Sequence, residues 1–110
     1  MTPKNSAKPS PPGTIDLPPN CLPTILAILG EHVAGAEVRA FGSRVTGTSV
    51  ATSDLDLVIR GAERLSLRGL RTLQEAFETS DLPIRVDVVD WHRLTDEFKA
   101  VIERAFVPMQ

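Results

Sequence analysis

Several features that would give this chain a specialised character are missing from its sequence. It has one cysteine, which excludes an internal disulfide framework and a cysteine-based zinc cluster. No stretch approaches the ~18 consecutive apolar residues of a membrane helix. The lysines near the N-terminus have no apolar run behind them, so no secretory signal is expected. These absences favour the cytoplasm, where thiols stay reduced, and exclude a membrane partner.

An excess of basic residues is also missing. The chain carries 12 Lys and Arg against 14 Asp and Glu, which gives a net charge of −2. Because affinity for a polyphosphate backbone depends on a basic patch, we expect no direct nucleic-acid binding. If the protein handles phosphate groups, it should do so locally and through a metal ion.

Proline is abundant in one part of the chain only. Six of the nine prolines precede Asn20 in a segment with few apolar residues. Little apolar burial is available there to offset the entropy of ordering. We therefore predict a flexible, proline-rich arm over residues 1–19 and one domain over residues 20–110, which is long enough for a single core.

The hydrophobic pattern of residues 20–110 predicts alternating helices and strands. Helical spacing begins at Leu22, after Ser66 and after Thr95, and Asn20 and Ser66 can cap the first two helices. Residues 37–41 are interpreted as a short strand, and period-two patterns predict two more, at 54–59 and 84–89. The Gly-, Ser- and Thr-rich residues 43–53 predict a loop, with or without a short helix. The predicted order is therefore α-β-loop-β-α-β-α.

Two short motifs in the middle of the chain suit phosphate and metal chemistry. Gly42 and Ser43 end the first predicted strand, where glycine permits close backbone approach and serine offers a hydroxyl and an N–H group. Asp54 and Asp56 lie two residues apart on the second strand, about 6.6 Å apart on one face. Two such carboxylates can bind a pair of divalent cations about 3.5–4 Å apart. The alternative is an exposed acidic strand end.

A third carboxylate interrupts the last predicted strand. Asp87 lies on the opposite face from that strand's apolar side chains. If the two strands are neighbours, Asp87 joins Asp54 and Asp56 on one surface, and the mutual repulsion of three carboxylates favours cations or protons there. Hard oxygen ligands suit Mg²⁺. Asp90 competes for this role, but its parity differs, and we interpret it as a strand-end or cap residue.

The spacing of these residues resembles a known signature. Gly42-Ser43, ten residues and then Asp54-Leu55-Asp56 resemble the Gly-Ser-x10-Asp-x-Asp motif of the DNA polymerase β-type nucleotidyltransferase superfamily. The run GSRVTGTSVATSDLDLVI, the later RVDVVDW and the helix ending in IERAFVPM are similar to its minimal, MNT-type branch. The resemblance extends from Val38 to the C-terminus. It implies an α+β fold, with a small mixed β-sheet and helices packed mainly on one face.

The resemblance also implies a role for each motif residue. Gly42 and Ser43 would bind the β- and γ-phosphates of a nucleoside triphosphate. Asp54 and Asp56 would hold two Mg²⁺ ions that arrive with ATP. Asp87 would bind the metal on the acceptor side and help to deprotonate an attacking hydroxyl, so that AMP is transferred and pyrophosphate leaves.

The residue after the motif serine has two interpretations. Arg44 could contact a phosphate of the nucleotide. It could equally stabilise the aspartates through a structural ion pair.

The minimal size of the chain bears on its partner. Minimal members of the superfamily lack the domain that binds an acceptor, and MNT proteins commonly act beside a helical HEPN-type toxin protein as its antitoxin. The resemblance therefore implies ATP and a HEPN-type toxin as partners, in a hetero-oligomer, with a hydroxyl of the toxin as the acceptor. Two alternatives remain: an antibiotic-type adenylyltransferase that modifies a small molecule, and an antitoxin that acts without catalysis by steric binding.

Overall fold

A four-stranded mixed sheet forms the centre of the computed structural model, which describes residues 15–110. The strands are β1 (Glu37–Phe41), β2 (Leu55–Arg60), β3 (Val86–Asp90) and β4 (Val107–Pro108). Their order across the sheet is β3-β2-β1-β4. Strand β1 is antiparallel to β2 and β4, whereas β2 and β3 are parallel. The mixed sheet implied by the resemblance is confirmed.

The helices follow the predicted order. They are α1 (Cys21–His32), α2 (Ser43–Thr46), α3 (Leu67–Glu78) and α4 (Asp96–Arg104), with a 3₁₀ turn at Trp91–Arg93. Ser66 and Thr95 cap α3 and α4, since their side-chain oxygens accept from the backbone N–H groups three residues later. None of the helices within the described part of the chain combines the length and apolar character that a bilayer crossing requires.

One predicted cap is wrong. Asn20 precedes α1 in a left-handed conformation with φ of 69°, and its side chain accepts no capping hydrogen bond. Asparagine tolerates this conformation better than most residues, and here it supports the turn that leads into α1. Asparagine is typical both of helix caps and of turns, and at position 20 it forms a turn.

Alternation along the strands divides the core between the two faces of the sheet. Leu55, Leu57 and Ile59 of β2 face the larger cluster, which contains buried side chains of α1 and α3. Val58 faces the smaller cluster on the opposite side, together with Ile102 of α4. The two longest helices therefore share one face, and α4 covers part of the other.

The packed part of the chain includes residues that precede the predicted domain boundary. Ile15 and Leu17 pack against the larger core cluster. The backbone N–H of Asp16 donates to the carbonyl of Arg44 at 2.8 Å. Packing therefore begins before Asn20, whereas residues 1–14 of the predicted arm lie outside the described part of the chain.

Candidate active site

The sheet brings the predicted carboxylates onto one surface. Asp56 and Asp87 are register partners on the neighbouring parallel strands β2 and β3. Paired residues of adjacent strands point to the same face and lie about 4.8 Å apart. Asp54 directly precedes β2 and has the parity of Asp56. All three side chains therefore belong to the face that α4 partly covers, beside Val58 and not beside Leu57.

The electrostatics of this surface are most evident at Asp56. Partial burial raises the pKa of the Asp56 carboxyl, and the negative charges of Asp87 and Asp54 raise it further. The charged form is thus disfavoured by lost hydration and by repulsion. A bound cation would relieve both effects, so the donor chemistry and the local charge fit a divalent metal ion.

Gly42 lies directly against the Asp56 carboxylate. Its φ of +84° and ψ of −160° belong to a backbone region that is essentially restricted to glycine. A Cβ atom built on Gly42 would lie 3.3 Å from Cγ of Asp56 and closer still to Oδ2. Both the backbone conformation and the contact therefore require glycine at this position.

The turn after Gly42 presents the start of a short helix to the same surface. Ser43 begins α2, and the N–H groups of Val45 and Thr46 donate to the carbonyl of Gly42 at 3.0 and 3.1 Å. The N–H of a first helical residue has no acceptor within its helix, so that of Ser43 remains available to a ligand. Gly47 then ends α2 in a left-handed conformation with φ of +85°.

The Arg44 side chain is buried and bonds to backbone carbonyls instead of the aspartates. It is 2% exposed, and its guanidinium points into the loop that connects α2 to β2. Nε donates to the Ser53 carbonyl at 3.0 Å, Nη1 to the Asp16 carbonyl at 2.9 Å, and Nη2 to the Ala51 carbonyl at 3.1 Å. With its donors directed at carbonyl groups, Arg44 does not form the predicted ion pair with the aspartates, and these bonds leave the predicted phosphate contact without support. It stabilises the loop that leads to Asp54.

A second arginine reaches the carboxylates instead. Arg85 lies two residues before Asp87 on the same face, and its Nε is 3.1 Å from Asp87 Oδ1. Its side chain is 74% exposed. Arg85 is not among the predicted site residues. The signal that could have identified it is strand parity, because residues 85 and 87 share one face.

Asp90 has the structural role that its parity indicated. It is 2% exposed, and its carboxylate accepts from the backbone N–H groups of Leu65 at 2.8 Å and of His92 at 3.0 Å. It also forms an ion pair with Arg93 at 3.5 Å. The prediction of a cap at the end of the strand is confirmed, and Asp90 does not belong to the carboxylate surface.

An open cleft of about 1040 Å³ adjoins the carboxylates. Gly42, Asp56 and Asp87 line it together with Phe98 and Val101 of α4. Within residues 15–110, no three His, Cys, Asp or Glu side chains form a ready-made metal cage. That arrangement fits Mg²⁺, which usually takes one or two carboxylates and completes its shell with water and substrate phosphates. Asp56 and Asp87 at the cleft, with Asp54 beside them, are the residues that could hold it.

Comparison with known proteins identifies the sequence family. Residues 22–109 match the nucleotidyltransferase domain family, whose members generally use divalent metal ions. The chain is 40% identical over 96 residues to a probable protein adenylyltransferase, MntA, of Haemophilus influenzae, and the match covers 87% of this chain and 84% of the relative.

Solved structures show the same fold. A toxin–antitoxin crystal structure with AMP-PNP matches with a TM-score of 0.70 at 21% identity, over 82% of this chain and 73% of that one. A complex of a tri-AMPylated Shewanella oneidensis HEPN toxin with its MNT antitoxin matches with a TM-score of 0.61 at 18% identity, over 81% and 68%. At these identities the structural matches support the fold alone, and the family rests on the sequence matches. The chain belongs to the nucleotidyltransferase domain family and, within it, to the MNT-type proteins.

Proposed function

We propose that this protein is a Mg²⁺-dependent adenylyltransferase that moves AMP from ATP to a hydroxyl of a HEPN-type toxin and acts as the antitoxin of that toxin. The observation that carries the proposal is the register of Asp56 with Asp87 on parallel strands, directly beside Gly42. The relative at 40% identity is named a probable protein adenylyltransferase. We place the reaction in the cytoplasm, where the single thiol of Cys21 stays reduced.

Each part of the site has a role in this reaction. The Gly42–Ser43 turn binds the β- and γ-phosphates, because only glycine lets the backbone approach so closely. Asp54, Asp56 and Asp87 would hold two Mg²⁺ ions, which would supply charge neutralisation at the attacking and leaving oxygens. Arg44 holds the loop before Asp54 in place.

The bond changes follow from these positions. The acceptor hydroxyl oxygen forms a bond to the α-phosphorus of ATP while the bond from that phosphorus to the bridging oxygen breaks. Pyrophosphate leaves, and Asp87 takes up the proton of the hydroxyl. Arg85 neutralises Asp87 before the substrates bind. An exposed pair of this kind is worth about 1 kcal/mol or less, so Asp87 can exchange this partner easily.

The proposal is tested by transfer of label to the partner. This protein is mixed with the HEPN-type protein encoded beside its gene, with Mg²⁺ and with ATP labelled at the α-phosphate. We expect label on the HEPN-type protein with the wild type and none with Asp54→Asn. Asp81→Asn removes an exposed carboxylate beyond α3 and serves as the matched control, which should transfer normally.

Two results would contradict the proposal. Label that fails to reach the partner would exclude it as the acceptor, and transfer that survives in Asp54→Asn would exclude the carboxylate site. Toxin neutralisation that persists in Asp54→Asn would favour the alternative of steric binding.

A further inference from the structure

The outer edge of β3 carries backbone groups that no other strand uses. Strand β3 is at one end of the sheet order. The Arg85 carbonyl accepts from the Leu55 N–H at 2.9 Å, so Arg85, Asp87 and Val89 direct their backbone groups toward β2. Because these directions alternate along a strand, Val86 and Val88 direct their N–H and C=O groups outward.

These outward groups are nearly unoccupied. Within residues 15–110, the N–H groups of Val86 and Val88 donate to no acceptor on the outer side. The one contact is from Nε2 of Gln74, which reaches the Val88 carbonyl at 3.3 Å. Natural proteins usually cover or block such an edge, because it can pair with another chain. Val86 and Val88 are only 8% and 4% exposed as whole residues, but both belong to the lining of a cleft and no strand pairs with them on that side.

The cleft connects this edge to the carboxylates. Its lining includes side chains of α3 on one face of the sheet and of α4 on the other, so it passes along the outer edge of β3. The same cleft reaches Gly42, Asp56 and Asp87. A polypeptide bound at the edge is therefore continuous with the proposed active site.

We propose that an extended segment of the acceptor protein pairs antiparallel with the free edge of β3 and thereby places its hydroxyl-bearing side chain opposite Asp87. This inference rests on the proposed function and specifies how the acceptor is held. Strand addition of this type derives affinity from main-chain hydrogen bonds and specificity from pockets for alternate side chains.

Antiparallel pairing would place one side chain of the segment at the reacting position. The backbone N–H and C=O of Asp87 point toward β2. In a pair with an incoming strand on the other side, Asp87 would therefore take a non-hydrogen-bonded position. Residues paired in that way have Cα atoms about 4.5 Å apart and the closest side chains. The opposite residue also points to the same face as Asp87. Its hydroxyl thus lies beside the carboxylate that accepts the proton.

The lining of the cleft predicts the residues next to the acceptor hydroxyl. Neighbours in the segment point to the other face, where they meet the partly buried Leu82 and Ile84 and the buried Phe77. On the Asp87 face, Phe98 and Val101 of α4 are 38% and 50% exposed and form an apolar rim. The segment should therefore carry apolar residues on both sides of the hydroxyl-bearing one.

A proline substitution tests the backbone pairing. Val86→Pro removes an outward N–H at the first residue of an edge strand, where proline is tolerated, and leaves the bonds to β2 in place. Val86→Ala is the matched comparison, because it removes more of the side chain but keeps the N–H. In the transfer assay with the HEPN-type protein, we expect Val86→Pro to label about two- to tenfold more slowly than Val86→Ala, as the loss of one hydrogen bond predicts. Thermal unfolding establishes that both variants fold.

Amide hydrogen exchange of the wild type gives a second measurement that needs no variant. Addition of the HEPN-type protein should slow exchange at Val86 and Val88 more than at β4, the opposite edge of the sheet. Equal labelling by Val86→Pro and Val86→Ala, or unchanged exchange at Val86 and Val88 in a complex that transfers label, would overturn the strand pairing while the proposed function stands. If the wild type itself labels no partner, the proposed function fails, and this inference fails with it.

Discussion

Gly42 and Asp56 determine each other through direct contact. The carboxylate occupies the space that a Cβ atom at residue 42 would need, and the positive φ of Gly42 would strain any other residue. The motif glycine is therefore required for a steric reason that is visible only once β1 and β2 are paired. It allows the turn at Gly42 and Ser43 to reach the carboxylate surface.

Replacing this glycine should destabilise the protein and prevent nucleotide binding. We expect Gly42→Ala to lose about 1–3 kcal/mol of unfolding free energy through backbone strain and displacement of Asp56. Gly30→Ala is the control, because Gly30 lies in α1 with nothing within 4 Å of an added Cβ. It should be neutral or more stable, by up to about 1 kcal/mol. Urea unfolding measures the unfolding free energy of both variants. A Gly42→Ala variant as stable as the wild type would contradict the proposed contact.

Because the pKa of Asp56 is raised, the effect of Asp56→Asn on stability should depend on pH. In the folded state this carboxyl holds its proton more tightly than in the unfolded chain, because burial and the neighbouring aspartates disfavour its charge. The resulting loss of stability is absent in acid, develops as pH rises through the folded pKa and is complete at neutral pH. Without metal ions, Asp56→Asn should therefore be more stable than the wild type at neutral pH.

The measurement is thermal unfolding in a metal chelator over a series of pH values. The advantage of Asp56→Asn should shrink toward acidic pH, where the wild-type carboxyl is protonated. Added Mg²⁺ should stabilise the wild type more than the variant, because the cation relieves the same repulsion. Asp81→Asn, at an exposed position, should show neither effect. An advantage independent of pH would argue against the charge repulsion.

The loop between α2 and β2 depends on one buried side chain. Residues 47–54 contain no helix or strand, and the Arg44 guanidinium supplies hydrogen bonds to the carbonyls of Ser53 and Ala51 within this loop. It also bonds the Asp16 carbonyl, so the loop and the segment before α1 share one support. Asp54 follows Ser53 directly, so its position depends on the hydrogen bonds of Arg44.

Removing that guanidinium should cost more than removing the exposed arginine of the site. Arg44→Ala leaves several carbonyls without a donor, and we expect a loss of about 2–4 kcal/mol of unfolding free energy. Arg85→Ala breaks only an exposed pair with Asp87 and should change stability by less than about 1 kcal/mol. Chemical denaturation of the two variants provides the comparison. Equal losses would show that Arg44 is not the support of this loop.

Residues 15–17, which composition assigns to the predicted arm, pack against the folded domain. Ile15 and Leu17 pack against the larger core cluster. The Asp16 N–H donates to the Arg44 carbonyl, and the Asp16 carbonyl accepts from the Arg44 guanidinium. Proline content and scarcity of apolar residues describe the first 19 residues on average. Two apolar side chains at the end of that segment are nevertheless enough to fasten it to the core.

Truncations that end on either side of this segment should separate the two parts. Removal of residues 1–14 keeps every contact described here and should leave the melting temperature nearly unchanged. Removal of residues 1–17 also deletes the Ile15 and Leu17 contacts and the Asp16 carbonyl, one of the acceptors of the Arg44 guanidinium. We expect it to lower the melting temperature by several degrees, as a loss of about 1–2 kcal/mol predicts for a domain of this size. Similar melting temperatures for the two truncations would contradict this role.

Much of the architecture could be predicted from local patterns. The short strand predicted at 37–41 has the observed bounds of β1, alternation located β2 and β3 to within two residues, and residue chemistry identified the cap at Ser66. Strand β4 has only two residues, one of them proline, so it carries no periodic pattern. It exists because β1 offers an edge for it to pair with.

The candidate site also combines features that the local sequence predicts with features that only the tertiary structure determines. The Gly-Ser turn and the Asp-x-Asp pair are close in sequence, so the resemblance of their spacing to a known motif pointed to Gly42, Ser43, Asp54 and Asp56. Strand parity put Asp87 on the matching side of its strand. The register that pairs Asp87 with Asp56, the burial of Arg44 and the open edge of β3 depend on contacts between distant segments. Short-range periodicity contains no information about such contacts, because they arise only when the sheet and its two core clusters pack together.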